Sequence, residues 1–248
     1  MAIVLCLTAA SALAGPVVVL DPGHGGAQAG ANSPKGLQEK ALALDLAMRV
    51  RAILQGRGLT VHLTRSKDVE LDLKERVKSA NALKPDLFLS IHANSMPTRR
   101  LRQNTSGIET YFLSASASGE QAKKVAAREN AEAGDAHAGP QSDTLAFILA
   151  DLQRAEAHKD SSRLAYAVQE ALIAKTGAVD RGVQQAPFYV LMGLEAPAAL
   201  VEVGFISHPD EGAKLGEPEH QAAVAQAIAD GVRVFLEQLE AREGKPSP

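Results

Sequence analysis

Apolar positions along this chain fall into two rhythms. Short runs at residues 17–20, 59–63, 87–91, 108–113, 188–191 and 199–203 read as strands, the first ended by the turn residues Asp21-Pro22-Gly23. Between them, residues 37–55, 71–83, 162–175 and 221–241 carry helical spacing; in the first, Leu42, Leu46, Val50 and Ile53 mark one buried stripe. This alternation predicts an α/β fold: a single domain with a central mostly parallel or mixed sheet flanked by helices on both faces. One stretch breaks the rhythm. Residues 114–161 are Ala-rich and charged, with a Gly139-Pro140 break, and read as an insertion within a domain spanning residues 15–243. Residues 244–248 are expected to fray.

Composition narrows the chemistry. The 248 residues are 46% hydrophobic, enough for a sizeable core in one domain. A net charge of −3 and the absence of Trp argue against a nucleic-acid surface. One cysteine, Cys6, excludes an internal disulfide framework and any multi-Cys zinc site, so a metal would be held by His and carboxylate. Residues 1–14 are apolar and small and end in Ala12-Leu13-Ala14, as a signal-peptide core and cleavage site do. They are too short to span a bilayer, and no Lys or Arg precedes Lys35. Export to the periplasm or cell wall is the expectation, with no stable membrane span.

In sheets of this kind ligands gather beyond the carboxyl ends of the strands. There the sequence places His24, between Gly23 and Gly25 after the first strand, and His92 with Asn94 in S-I-H-A-N at the end of the third. Glu202 interrupts the apolar run A-A-L-V-E-V-G-F. An unpaired buried carboxylate is costly, and residues 198–206 offer it no basic partner, so it points to function. Glu39 precedes Leu42 by three residues and extends the buried stripe; by itself it fits a first-turn glutamate facing the helix dipole equally well. Together His24, His92 and Glu39 form a His₂Glu set, suited to a catalytic zinc with one position open for water. His62, His137, His158, His208 and His220 read as structural or surface residues. The stretch G-H-G-G-A-Q-A-G lacks the spacing and lysine of a phosphate loop.

In chain order, D-P-G-H-G-G, G-L-Q-E-K-A, S-I-H-A-N-S and L-V-E-V-G-F-I-S resemble the zinc-dependent N-acetylmuramoyl-L-alanine amidases of the type-3 family, over residues 17–235. The resemblance implies that His24, Glu39 and His92 hold Zn²⁺ and that Glu202 is the catalytic glutamate. The implied reaction cuts the peptidoglycan amide between N-acetylmuramic acid and L-alanine. His208 stands in F-I-S-H-P where the family usually has Asn, and no wall-targeting domain precedes the catalytic one. A zinc peptidase of other specificity uses the same ligand chemistry, and a non-catalytic wall-binding module is the rival of a different class.

The insertion carries one more candidate. Ala122, Val125, Ala126 and Ala133 share a helical face with Glu129, in A-R-E-N-A; spacing alone fits an exposed Ala-rich helix as well. Cell-division amidases that this chain resembles carry a comparable insertion whose glutamate covers the zinc and holds the enzyme inactive. By that resemblance Glu129 is the autoinhibitory residue. The stripe Leu145, Ile148, Leu149 and Leu152 would then be the handle for a LytM-type activator.

Overall fold

The computed structural model describes residues 15–132 and 155–244. Residues 1–14, the Leu145–Leu152 stripe and residues 245–248 lie outside them. The chain forms β1 (Val17–Pro22), α1 (Glu39–Gly56), β2 (Thr60–Leu63), α2 (Leu73–Ala82), β3 (Leu87–Asn94), α3 (Arg99–Asn104), β4 (Ile108–Leu113) and α4 (Glu120–Asn130). It continues through α5 (Ala155–Thr176), β5 (Asp180–Ala186), a 3₁₀ turn (Tyr189–Leu191), β6 (Ala198–Phe205), α6 (Pro209–Lys214) and α7 (Pro218–Glu243). The strands make one mixed sheet of order β2-β1-β3-β6-β4-β5, parallel throughout except where β4 runs antiparallel to β6.

Alternation along the strands divides the interior into two cores. Val18, Leu20, Leu89, Ile91, Ala199 and Val201 face the stripes of α1, α5 and α7, including Leu46, Val168, Ile228 and Phe235. Val19, Phe88, Tyr111 and Leu200 face the opposite way, against α2, α4 and the 3₁₀ turn. The helices on both faces and the mixed sheet agree with the sequence pattern.

Two elements correct it. Residues 188–191, expected as a strand, form the 3₁₀ turn, in which Phe188, Val190 and Leu191 plug the second core. The strand in that part of the chain is β5, the edge partner of β4, which is only half-buried and therefore shows little apolar alternation. The helices α3 and α6 escape the pattern because each is six residues long.

Candidate active site

Strand parity gathers the functional side chains. Asp21, Ser90, His92 and Glu202 share the parity of Val19, Phe88 and Leu200, so all four project to the α2–α4 face near the carboxyl ends of β1, β3 and β6. His92 and Glu202 are register partners across β3 and β6, and the register shifts between His92 and Asn94. His24 follows β1 in the left-handed region, at φ 58°, where a non-glycine residue is strained. Two buried arginines hold that turn. Arg76 donates to the carbonyls of Pro22 (2.8 Å) and His24 (2.7 Å), and Arg65 to those of Pro22 (3.0 Å) and Gly23 (2.7 Å). Gly23 is required by close approach: a Cβ there would lie 2.3 Å from the His92 ring.

Glu39, at the start of α1, is fully buried. Its carboxylate accepts from the Ala31 N–H at 2.8 Å and the Ala93 N–H at 3.0 Å, which fixes its aim. His24 Nε2 lies 2.8 Å from Glu39 Oε1 and 3.4 Å from Glu129 Oε2. His92 Nδ1 lies 3.1 Å from the same Glu39 oxygen and 3.0 Å from Glu129 Oε2. These four donor atoms all lie within 4.8 Å of one another. His24 Nε2 and Glu129 Oε2, like Glu202 Oε2, are buried without a protein hydrogen bond despite these short separations. Tetrahedral ligation with bonds of about 2.0–2.2 Å separates donor atoms by roughly 3.3–3.6 Å. The residues therefore fit a divalent cation of zinc's size.

The charges agree. Burial lowers the affinity of His24 for a proton, yet the Glu39 carboxylate and the contact of its Nδ1 with Glu132 outweigh that and raise its pKa to about 9. His92, also opposed by burial, is held well above its ordinary value by Glu129 and Glu39. Burial would raise Glu39, but the two imidazoles hold it well below the carboxylate range. The cluster thus demands positive charge, supplied by protons or by a metal.

Helix α4 lies over this cluster and engages it from three consecutive residues. Arg128 donates to Glu202 Oε1 (3.1 Å), Asn94 Oδ1 (2.9 Å), the Ser95 carbonyl (2.9 Å) and Glu129 Oε1 (2.7 Å). Glu129 sits between the imidazoles. Asn130 clasps the β5–β6 connection, donating to the Pro187 carbonyl (2.7 Å) and accepting from the Tyr189 N–H (2.8 Å). Glu202 is fully buried, and burial, helped by Glu129 and Glu39 and opposed by Arg128, holds its pKa well above the carboxylate range. An open cleft of about 750 Å³, lined by His24, Gln28, Gly30, Glu39, Ser95 and Arg128, gives access beside the helix.

All five residues singled out from the sequence, His24, Glu39, His92, Glu129 and Glu202, meet here. One expectation changes: Glu202 does have a basic partner. Arg128 comes from α4, 74 positions away, and no local pattern reveals it. Sequence reasoning also missed Glu132 on His24, and the Asp21–Arg76 pair beneath the turn (2.8 Å). His208 Nδ1 accepts from the Asp210 and Glu211 N–H groups at 3.2 Å and so caps α6, work that an Asn side chain does equally well.

The chemistry open to such a site is hydrolysis assisted by a divalent cation, which defines a metallohydrolase class on an α/β scaffold. Comparison with known proteins narrows the class. Residues 18–234 match the family described as N-acetylmuramoyl-L-alanine amidase, and the chain belongs to that family. It is 36% identical to N-acetylmuramoyl-L-alanine amidase AmiA of Escherichia coli over 87% of this chain and 74% of that protein. It is 33% identical to AmiC of Neisseria meningitidis over 92% of this chain, but spans only 55% of that relative's length. The solved N-acetylmuramoyl-L-alanine amidase of Clostridium difficile 630 superposes with a TM-score of 0.69 at 26% identity, covering 90% of this chain and 98% of that one.

Proposed function

We propose that this chain is a zinc-dependent peptidoglycan hydrolase that cleaves the amide between N-acetylmuramic acid and the L-alanine of the stem peptide. It would serve cell separation and wall turnover after export to the periplasm or wall. His24, Glu39 and His92 are the zinc ligands, Glu202 is the proton carrier, and Glu129 occupies the remaining position at rest. The observation that carries this reading is the convergence of four buried donor atoms within 4.8 Å, one of them delivered by α4, beside the buried Glu202. No helix among the described residues is long and apolar enough to cross a membrane.

When bound, zinc polarises the scissile carbonyl and makes water nucleophilic near neutral pH. The chain's own residues do the rest. Glu39 is fixed by two main-chain N–H donors, which aim its carboxylate between the two imidazoles. Glu202, buried beside the ligand set, is placed as a carboxylate to take a proton from water and return it to the leaving nitrogen. The C–N bond breaks, the water oxygen joins the acyl carbon, and the products are a lactyl carboxylate and an L-alanyl ammonium.

With α4 seated, Glu129 fills the space water needs and Arg128 engages Glu202. A LytM-type activator acting through the Leu145–Leu152 stripe would favour the open arrangement by binding it more tightly than the closed one. The test is Glu129→Ala: zinc content retained, and peptidoglycan hydrolysis without any partner raised above the parent. A zinc-loaded, folded Glu129→Ala protein as inactive as the parent would refute the plug. A muropeptide assayed beside an unmodified peptide separates the amidase from a zinc peptidase of other specificity. The buried Glu202 beside the ligand set argues against a wall-binding module, which has no use for it.

A further inference from the structure

Two of the acceptors that hold Arg128 have no part in the mechanism above. They are Asn94 Oδ1 and the Ser95 carbonyl, each 2.9 Å from the guanidinium. Asn94 is fully buried and its amide orientation is fixed by chemistry. Its Nδ2 donates to Glu109 Oε1 at 2.8 Å, and a carboxylate can only accept, so the oxygen must face the site. Tyr111 and Arg181 in turn hold Glu109, donating at 2.7 and 3.4 Å. The result is a rigid cluster of oxygens that accepts hydrogen-bond donors and cations and disfavours another lone pair.

Beside it, the imidazole cluster takes a carboxylate. Arg128 and Glu129 are adjacent and bonded to each other at 2.7 Å, so α4 lays a cation on the first cluster and an anion on the second. Amide hydrolysis yields the same pair: a carboxylate on the acyl carbon and an ammonium on the nitrogen it has lost.

We propose that α4 rests in the site as a product mimic, and that Asn94 Oδ1 and the Ser95 carbonyl, with Glu202, form the subsite for the leaving nitrogen. This inference rests on the amidase reading. Asn94 accepts the scissile N–H in the substrate and the ammonium in the product, and it selects nitrogen over oxygen as leaving group.

The experiment starts from the zinc-loaded double variant Arg128→Ala/Glu129→Ala, which removes both mimicking groups. Its two substrates are a muramoyl-L-alanyl amide and the matching ester with L-lactate in place of L-alanine, which has no N–H. Adding Asn94→Ala should lower kcat/KM for the amide about ten- to a hundredfold, the range for a hydrogen bond to a charged group, and leave the ester nearly unchanged. Equal loss on both substrates would mean that Asn94 is merely structural and would overturn the assignment. A binding measurement needs no Asn94 variant. By calorimetry, an L-alanyl dipeptide with a free α-amine should bind the double variant, its N-acetyl form should not, and the parent should bind neither. Equal binding of the two forms would also overturn it. If the double variant hydrolyses neither substrate, the amidase reading fails while the dipeptide comparison still decides the subsite.

Discussion

The ion pair beneath the His24 turn offers the sharpest test of how the scaffold holds the site. Asp21 and Arg76 are both buried and meet at 2.8 Å. Arg76→Met removes that bond and the donors to the carbonyls of Leu71 (3.0 Å), Pro22 (2.8 Å) and His24 (2.7 Å). Removing one partner of a buried pair costs about 3–5 kcal/mol, because the remaining charge stays buried. Asp21 keeps the Thr64 and Ser90 hydroxyls at 2.6 and 2.7 Å, which soften its loss, whereas the Leu71 and His24 carbonyls lose their side-chain donor and that of Pro22 keeps only Arg65. The middle of the range, about 4 kcal/mol, is the expected cost. For a domain of this size that lowers Tm by roughly 8–16 °C. Asp21→Asn/Arg76→Met carries no orphan charge and should recover about 1–3 kcal/mol of the loss. Urea unfolding reads both, as a shift of midpoint at unchanged m-value. A cost below about 1 kcal/mol for Arg76→Met, or a double variant no more stable than the single one, would refute the reasoning. The pH dependence supplies a second check. Burial raises the Asp21 pKa, but Arg76 and the two hydroxyls together carry it below its ordinary value of 3.8. Its stabilisation is therefore complete above pH 3.8 and is lost as pH falls through the lower folded value. Asp21→Asn should flatten the fall in stability below that pH.

Three further outcomes follow from the site. His24→Ala and His92→Ala should abolish zinc binding and Glu39→Ala weaken it, whereas Glu202→Ala should keep zinc and lose turnover; equal metal loss in all four would make Glu202 a ligand or a folding residue. Gly30→Ala places a Cβ 2.6 Å from the His24 ring and 2.7 Å from Glu39 Oε2, at φ +66°, and should weaken zinc retention about tenfold or more in a chelator competition. Gly36→Ala, strained at φ +85° but with nothing within 4 Å, is its control and should leave retention unchanged. Asn130→Ala cuts the clasp on Pro187 and Tyr189 without touching the ligand set, and should raise partner-free hydrolysis; activity equal to the parent's would mean that the clasp does not hold α4 shut.

What the sequence disclosed follows from the range of each interaction. His24, His92 and Glu202 are legible because strand parity and strand ends are local properties, and a polar residue in an apolar run is conspicuous wherever it lies. Glu39 and Glu129 are legible because each breaks the apolar face of its own helix. The second layer is different. Arg128 and Glu202 are 74 positions apart, and His24 and Glu132 are 108 apart. Neither Arg128 nor Glu132 looks unusual among its charged neighbours, so only the folded chain reveals their roles. Residues 188–191 misled because four apolar residues satisfy a strand and a buried turn equally. The edge strand β5 stayed hidden because its D-R-G-V-Q-Q-A sequence is polar on both faces.

On the proposed reading, the composition of α4 explains how the helix can both seal the site and leave it. Its buried apolar side chains are only Ala122, Val125 and Ala126. At about 0.8 kcal/mol per buried methyl-sized group and about 2 for a valine, they contribute roughly 3–4 kcal/mol. The rest of the hold comes from Arg128, Glu129, Asn130 and Glu132, whose partners are charged or main-chain groups that substrate or water can also satisfy. Exchanging such paired groups for other pairings is close to neutral, whereas removing one partner alone is expensive. An apolar face much larger than this would lie beyond an activator's reach, since driving a two-state device from 1:99 to 99:1 already takes about 5.5 kcal/mol of differential binding. A helix with the same apolar face and no ionic residues would leak. Specificity of closure therefore resides in the charges, and ease of opening in the small side chains.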